Sequence, residues 1–251
     1  VRKAFQEGRA GQRMVAVVLH HPERQGKIYR LVTAKDLEVF REAERYLEQK
    51  RQELRDKWDF DPVPGEEIPL MSGTFNVPLY GMNTWGDLFN PRQKLVLIVF
   101  AEKVRQAHEL MLAEGYKEEY ARAVVTYLAI IFDRLADKNA NLVVYNVVGE
   151  KIEHVFGRQA LPMVWDYVEV NPFTGIGWPN MLEWVARIID HCSQTTDSPA
   201  TVTQVSAVSL PYPDNFFDAV VTDPPYYNAV PYADLSDFFY VWLKRTVGDL
   251  Y

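Results

Sequence analysis

Phe217-Asp218-Ala219-Val220-Val221-Thr222-Asp223-Pro224-Pro225-Tyr226 is the stretch on which the reading of this 251-residue chain turns. The run to Thr222 has the composition of a buried β-strand. It stops abruptly in Asp223-Pro224-Pro225-Tyr226. Proline donates no backbone hydrogen bond and holds φ within a narrow range, so two in succession make a rigid turn whose carbonyl oxygens remain free acceptors. Asp223 adds a carboxylate acceptor, and Tyr226 adds an aromatic face on which a planar base can stack. An exocyclic NH2 group is a double donor. One carboxylate and one carbonyl can therefore take both of its protons and fix the direction of its lone pair. Asp-Pro steps also punctuate ordinary loops, but the flanks here are more particular. Leu210-Pro211-Tyr212-Pro213-Asp214-Asn215 reads as a turn before the strand. After the motif come Tyr227 and Asn228, then a segment opening at Asp234-Leu235-Ser236-Asp237 with an apolar run to Leu243. Strand, acceptor turn and helix is the order of a ligand-binding edge in an open α/β sheet.

The stretch from Leu210 to Arg245 resembles the signature of DNA adenine-N6 and cytosine-N4 amino-methyltransferases. More narrowly, Asp223 to Tyr227 followed by Tyr232-Ala233-Asp234-Leu235-Ser236-Asp237-Phe238-Phe239-Tyr240-Val241-Trp242-Leu243 is similar to the zinc-ribbon-containing adenine-specific DNA methylases. Thr84-Trp85-Gly86-Asp87-Leu88-Phe89 and the stretch from Phe156 to Asp166 resemble the same group, so the likeness runs from about Gly81 onward. It implies a catalytic set of Asp223, Pro224, Pro225 and Tyr226. Tyr226, Tyr227 and Asn228 would bind the substrate base, S-adenosylmethionine would donate the methyl group, and DNA would be the partner. Adenine N6 is the implied target. Cytosine N4, an RNA substrate, or a nucleic-acid-binding or assembly module without turnover remain open alternatives. The cofactor loop and zinc ribbon of that family lie upstream of the motif.

A parallel sheet of this type needs several strands, and only the one before Asp223 is legible. The expected fold is therefore α/β: a partial S-adenosylmethionine-dependent methyltransferase (Rossmann-like) fold behind a largely helical N-terminal region. The chain reads as an internal segment that works with the remainder of its parent polypeptide. Four regions follow: a β-hairpin and long amphipathic helix at 1–60, a Pro-rich connector at 61–80, a helical region at 81–200, and the motif-bearing segment at 201–251.

With 48% apolar and 24% charged residues, composition is that of an ordinary globular chain. The longest apolar stretch, Ala123 to Phe132, is too short to span a bilayer. Residues 1–8 lack the apolar core of a signal peptide. The one cysteine, Cys192, excludes an internal disulfide and fits a reducing, cytoplasmic setting; its place on the apolar side of a helix makes it an expected core residue. A net charge of −7 opposes general binding to phosphate backbones. DNA contact is expected either through regions outside the chain or through a local basic face, with Arg2, Lys3, Arg9, Arg13, Arg24 and Lys27 as candidates.

Along the chain, Met14–Leu19 and Lys27–Val32 read as a hairpin around Pro22 and Gly26. Thr33 and Asp36 make a capping-box arrangement for a long helix whose dense charges read as a solvated face. Asn90-Pro91 opens a helix to about Glu114, ended by Gly115. A second helix runs from about Lys117 to Asp137. A third is capped by Asn180 with Glu183 and ends near His191. Trp85 reads as core, and the helix start at Asn90-Pro91 is a candidate lining for a cofactor pocket.

Asn171-Pro172-Phe173-Thr174-Gly175-Ile176-Gly177 mimics the cofactor loop of the superfamily, making Phe173, Gly175 and Gly177 candidate cofactor-binding residues. Asn stands where that loop has Asp, and one helix alone separates Gly177 from the strand region; a plain turn is the competing reading. His20, His21, His108 and His154 lack partners at metal-ligand spacing, and no metal is expected.

Overall fold

The computed structural model describes residues 1–21, 23, 25–195, 198–227 and 229–251. A short helix, α1 (Arg2–Gln6), leads into β1 (Ala16–His20) and β2 (Lys27–Leu31). These strands pair antiparallel, with Ala16 opposite Leu31 and His20 opposite Lys27, the hairpin read from the two runs. Pro22, placed in the turn by the sequence, lies outside the described residues.

Helix starts follow the capping chemistry. The Thr33 amide donates to Asp36 Oδ2 (2.8 Å) and the Asp36 amide to Thr33 Oγ1 (3.4 Å), opening α2 (Ala34–Trp58). Asn90 and Gln93 exchange the same pair of bonds at 2.9 and 2.8 Å, with Pro91 in the first turn of α3 (Pro91–Ala113). Each reciprocal pair satisfies two amides that have no partner within the helix. Gly115, at φ +86°, takes the left-handed conformation that ends a helix cheaply. The chain then turns into α4 (Glu118–Lys138). On α4 the buried residues Ala121, Val125, Ala129, Phe132 and Ala136 recur every three or four positions, a single apolar stripe that packs on α3.

Two short strands, β3 (Tyr145–Asn146) and β4 (Lys151–Ile152), form a second antiparallel pair. Next is α5 (Trp178–Ser193), which begins two residues before the expected Asn180 cap. Its cap position is Gly177, and Pro179 falls in the first turn, where a missing N–H costs nothing. Last is α6 (Tyr232–Thr246). The described chain is thus helical with two small antiparallel sheets.

One core unites these elements. Leu54 and Trp58 of α2, Leu97 and Ile98 of α3, Phe132 and Leu135 of α4, and Phe238 and Trp242 of α6 meet in it. The Pro-rich stretch 61–80 is drawn into that core through Val63, Ile68, Phe75 and Val77. Arg245 holds it there. Buried at the end of α6, its guanidinium donates to the Asp61 carbonyl (3.1 Å), the Val63 carbonyl (3.3 Å) and both Glu66 carboxylate oxygens (3.0 and 3.1 Å). The α6 helix, which follows the motif directly, is therefore fixed to the body at its far end.

Three expectations need correction. The stretch from Phe217 to Thr222 is not a buried strand: it has no regular secondary structure, bends at Asp218 and is exposed, with Val221 96% accessible. A strand needs a neighbour to take its backbone hydrogen bonds, and no described residue supplies one. Cys192 is exposed, because α5 packs mainly on α4 and buries only Met181. The charges of α2 are not merely solvated: Lys50 is buried and pairs with Glu102 of α3 at 2.9 Å.

Asp133, on α4, carries a measurable consequence. Its Oδ1 is buried without a hydrogen-bond partner, and burial raises its pKa to about 8 from an ordinary 3.8. The folded chain therefore keeps this proton up to pH 8, while the unfolded chain releases it near pH 4. Stability held below pH 4 is lost as pH rises toward 8. Asp133→Asn is expected to stabilise the protein by ~3 kcal/mol at pH 7 and to leave it little changed at pH 4. Urea unfolding at the two pH values checks both.

Candidate functional site

The motif sits at the surface, between an exposed stretch and a fixed helix. Residues 199–222 form no helix or strand. Tyr212, Phe216 and Phe217 cluster there, with ring centroids 4.8–5.1 Å apart, and Asn215 sits at φ +61°, a conformation Asn tolerates in turns. The chain then runs without regular secondary structure into Asp223. After Tyr226, whose carbonyl accepts from the Ala229 amide at 3.4 Å, it turns into α6 at Tyr232.

Asp223, Pro224, Pro225, Tyr226 and Tyr232 together line an open recess of about 410 Å3. Asp223 makes no hydrogen bond or ion pair with any described residue, and the Pro224 carbonyl accepts no backbone hydrogen bond from one. Both residues are exposed. Tyr226 is 73% exposed, its ring free on the same recess. The arrangement can take a planar group bearing an NH2: two acceptors for the donor pair and aromatic surface for the ring.

The structure thus brings Asp223, Pro224, Pro225 and Tyr226 together. It does not add Tyr227, which is 99% exposed and lies off the recess. Asn228 lies outside the described residues. Tyr232 was not among the candidate site residues. The available signal was its position at the start of a helix six residues beyond Tyr226, which turns the chain back toward the motif.

The 173–177 stretch is a turn closed upon itself. Asn171 Oδ1 accepts from the Phe173 amide (3.0 Å), the Thr174 amide donates to the Asn171 carbonyl (3.2 Å), and the Gly177 amide to the Thr174 carbonyl (2.9 Å). The Trp178 amide returns to the Pro172 carbonyl (2.8 Å). A Cβ on Gly177 would stand 2.3 Å from that carbonyl oxygen, so backbone packing alone demands glycine here. Phe173 leans on Phe100 at 6.0 Å, and no residue of this turn lines the recess. With four amides engaged internally and no carboxylate in the turn, these residues as folded do not fit S-adenosylmethionine.

The Asn90 helix start is likewise closed by its own partners. Asn90 Nδ2 donates to the Tyr167 hydroxyl (3.1 Å) and to Glu169 (3.0 Å), which also pairs with Arg92 (2.6 Å). It contributes nothing to the recess lining. Trp85 is buried against Phe75 and Phe238, the core role its sequence context predicts. His154 Nδ1 lies 2.7 Å from Asp137, and no group of three potential metal ligands gathers among the described residues. None of the described helices is long and apolar enough to cross a membrane. Comparison with protein-family models, with characterised proteins and with solved structures gives no match.

Proposed function

We propose that this chain carries the base-holding turn of a nucleobase amino-methyltransferase, with adenine N6 in DNA as the target. The observation that carries the reading is the unpaired Asp223 carboxylate set beside the free Pro224 carbonyl and the exposed Tyr226 ring in one recess. A duplex hides the amino group of adenine, so the base must be extruded at a few kcal/mol of unstacking. Tyr226 takes up the extruded base face to face. Asp223 and the Pro224 carbonyl accept its two amino hydrogens, leaving the nitrogen lone pair directed away from the turn. Tyr232, at the mouth of α6, closes the recess on a second side.

Asp223 need not be a strong base, because a methylated exocyclic nitrogen sheds its proton readily. The work of these residues is orientation, a contribution on the order of 7–11 kcal/mol in well-aligned reactions. S-adenosylmethionine would supply the methyl group. The 173–177 turn offers it no fit, and the remainder of the parent polypeptide is the proposed holder. In the same proposal, Phe217–Thr222 is a strand of a Rossmann-like methyltransferase sheet whose partner strands also come from that remainder. Its exposed Phe217, Val220 and Val221 are the side chains such a sheet would cover. A cytosine or RNA target uses the same amino-group geometry.

Tyr226 offers the sharpest test of the base-stacking role. In the full-length protein, Tyr226→Phe keeps the aromatic face and is expected to retain most methyl transfer. Tyr226→Ala is expected to weaken DNA binding, losing about 1–3 kcal/mol, and to cut kcat/KM at least tenfold. Steady-state kinetics on an adenine-containing duplex separate the two. Equal losses in both variants would remove the stacking role.

A further inference from the structure

Charge is distributed unevenly along the chain. Residues 1–32 hold seven Lys and Arg against two Glu, a net of +5, whereas the other 219 residues hold 20 against 32, a net of −12. The basic segment is also where the fold puts its most exposed secondary structure. Among the described residues the β1–β2 ribbon pairs with no third strand, so none of them covers its outer edges, and Val15, Val18, Leu19, Ile28, Tyr29 and Leu31 are exposed.

The cations of this segment divide into two sets. Lys3 and Arg9 pair with Glu7, and Arg30 is held by Asp36 at 2.6 and 2.8 Å. Arg2 lies over the Tyr80 ring. Arg13, at the base of the ribbon, and Lys27, opposite His20 near its tip, make no ion pair among the described residues. Arg24 lies outside the described residues. The acidic groups nearby are few: Glu23 lies in the turn, and Glu150 accepts from the Tyr29 hydroxyl at 3.0 Å.

We infer that the β1–β2 ribbon is a docking surface for double-stranded DNA, with Arg13 and Lys27 on phosphates and the ribbon directed into the major groove. The inference rests on the proposed nucleobase reading and names the surface that holds the duplex while the recess holds the base. Three facts converge on that partner. A two-stranded antiparallel ribbon fits the major groove of B-DNA, about 12 Å wide. The A-form major groove of double-stranded RNA is too deep and narrow for side chains to read. And in a chain this acidic, a phosphate backbone is repelled by most of the surface, so the one segment of net positive charge is where it can rest.

The test is anisotropy of a fluorescein-labelled 20-base-pair duplex titrated with the protein between 50 and 300 mM salt. Arg13→Glu with Lys27→Glu is expected to lower affinity at least tenfold at 50 mM and to flatten the salt slope by about 2, the loss of two phosphate contacts. Lys57→Glu with Lys117→Glu makes the same change in net charge on α2 and at the start of α4, and is expected to change affinity less than threefold. Equal losses in the two double variants, no loss in the first, or no duplex binding by the unaltered protein would each overturn the docking surface. Asp223→Ala separates this from the catalytic reading. If it stops methyl transfer while the ribbon variants bind normally, the ribbon falls and the recess stands. If the ribbon variants lose binding and the full-length protein makes no methylated base, the ribbon stands and the recess reading falls.

Discussion

Asp223→Ala in the full-length protein is expected to lower kcat for methyl transfer to DNA at least a hundredfold while leaving the fold intact. The carboxylate is exposed and makes no hydrogen bond or ion pair with a described residue, so its removal breaks none among them and falls among surface changes worth within about 0.5 kcal/mol of stability. Its expected value lies in the reaction alone. Removing one preorganised hydrogen-bonding group from an active site costs on the order of 10²–10³ in rate, and Asp223 supplies one of only two acceptors for the amino group. Asp223→Asn is the informative companion. It keeps one oxygen but can also present an NH2 to the amine, so activity between the alanine variant and the parent is expected. Unchanged unfolding midpoints with collapsed kcat would mark Asp223 as a catalytic residue. Equal turnover in all three proteins would remove it from the chemistry.

The second large effect lies at the other end of the same helix. Arg245→Ala is expected to destabilise the protein by about 3 kcal/mol, the low end of the range for breaking a buried ion pair, because Arg245 is buried while Glu66 is partly exposed. Truncation leaves Glu66 and the carbonyls of Asp61, Val63 and Val241 without their shared donor. Arg245→Lys keeps the charge but loses the fork that reaches the connector and the carboxylate together, so it should recover only part of the loss. Burial pushes the Glu66 carboxyl upward, but hydrogen bonds and charge from Arg245 outweigh it and hold the group below its ordinary range. The pair therefore contributes fully above that range, and its contribution is lost as pH falls through the lowered value. The gap between parent and Arg245→Ala should be wide at pH 7 and narrow toward pH 3. Urea unfolding at the two pH values reads the gap.

Capping signals were legible because they are local. Thr33 and Asp36, named from sequence, form the reciprocal bonds that open α2, and Asn90, named as the cap of α3, exchanges the same bonds with Gln93, three residues on, which the sequence reading did not name. The Arg245 clasp was not legible, since it joins residues 179 and more positions apart and nothing in the local pattern points from one to the other. The same holds for Lys50, read as part of a solvated face until α3 brings Glu102 against it. Cys192 shows the converse error. An apolar side on α5 predicts burial, but burial also needs a covering element, and the packing on this helix, mainly from α4, leaves Cys192 exposed. Phe217–Thr222 failed for a related reason: strand composition reports what would be buried if a neighbour existed, not whether one does. For the site, four adjacent residues carried the reading and the recess collects those four. Tyr232 entered only once the turn from 226 to 232 was seen in space.

In the proposed function, the recess at Asp223 holds an amino-bearing base for methylation. Its most direct test is nucleoside analysis by mass spectrometry of unmethylated DNA incubated with the full-length protein and S-adenosylmethionine carrying a deuterated methyl group. Deuterated N6-methyl-2′-deoxyadenosine, absent with the Asp223→Ala variant, is the predicted result. No deuterated methyl on any exocyclic amino group, in DNA or in RNA treated the same way, would contradict it.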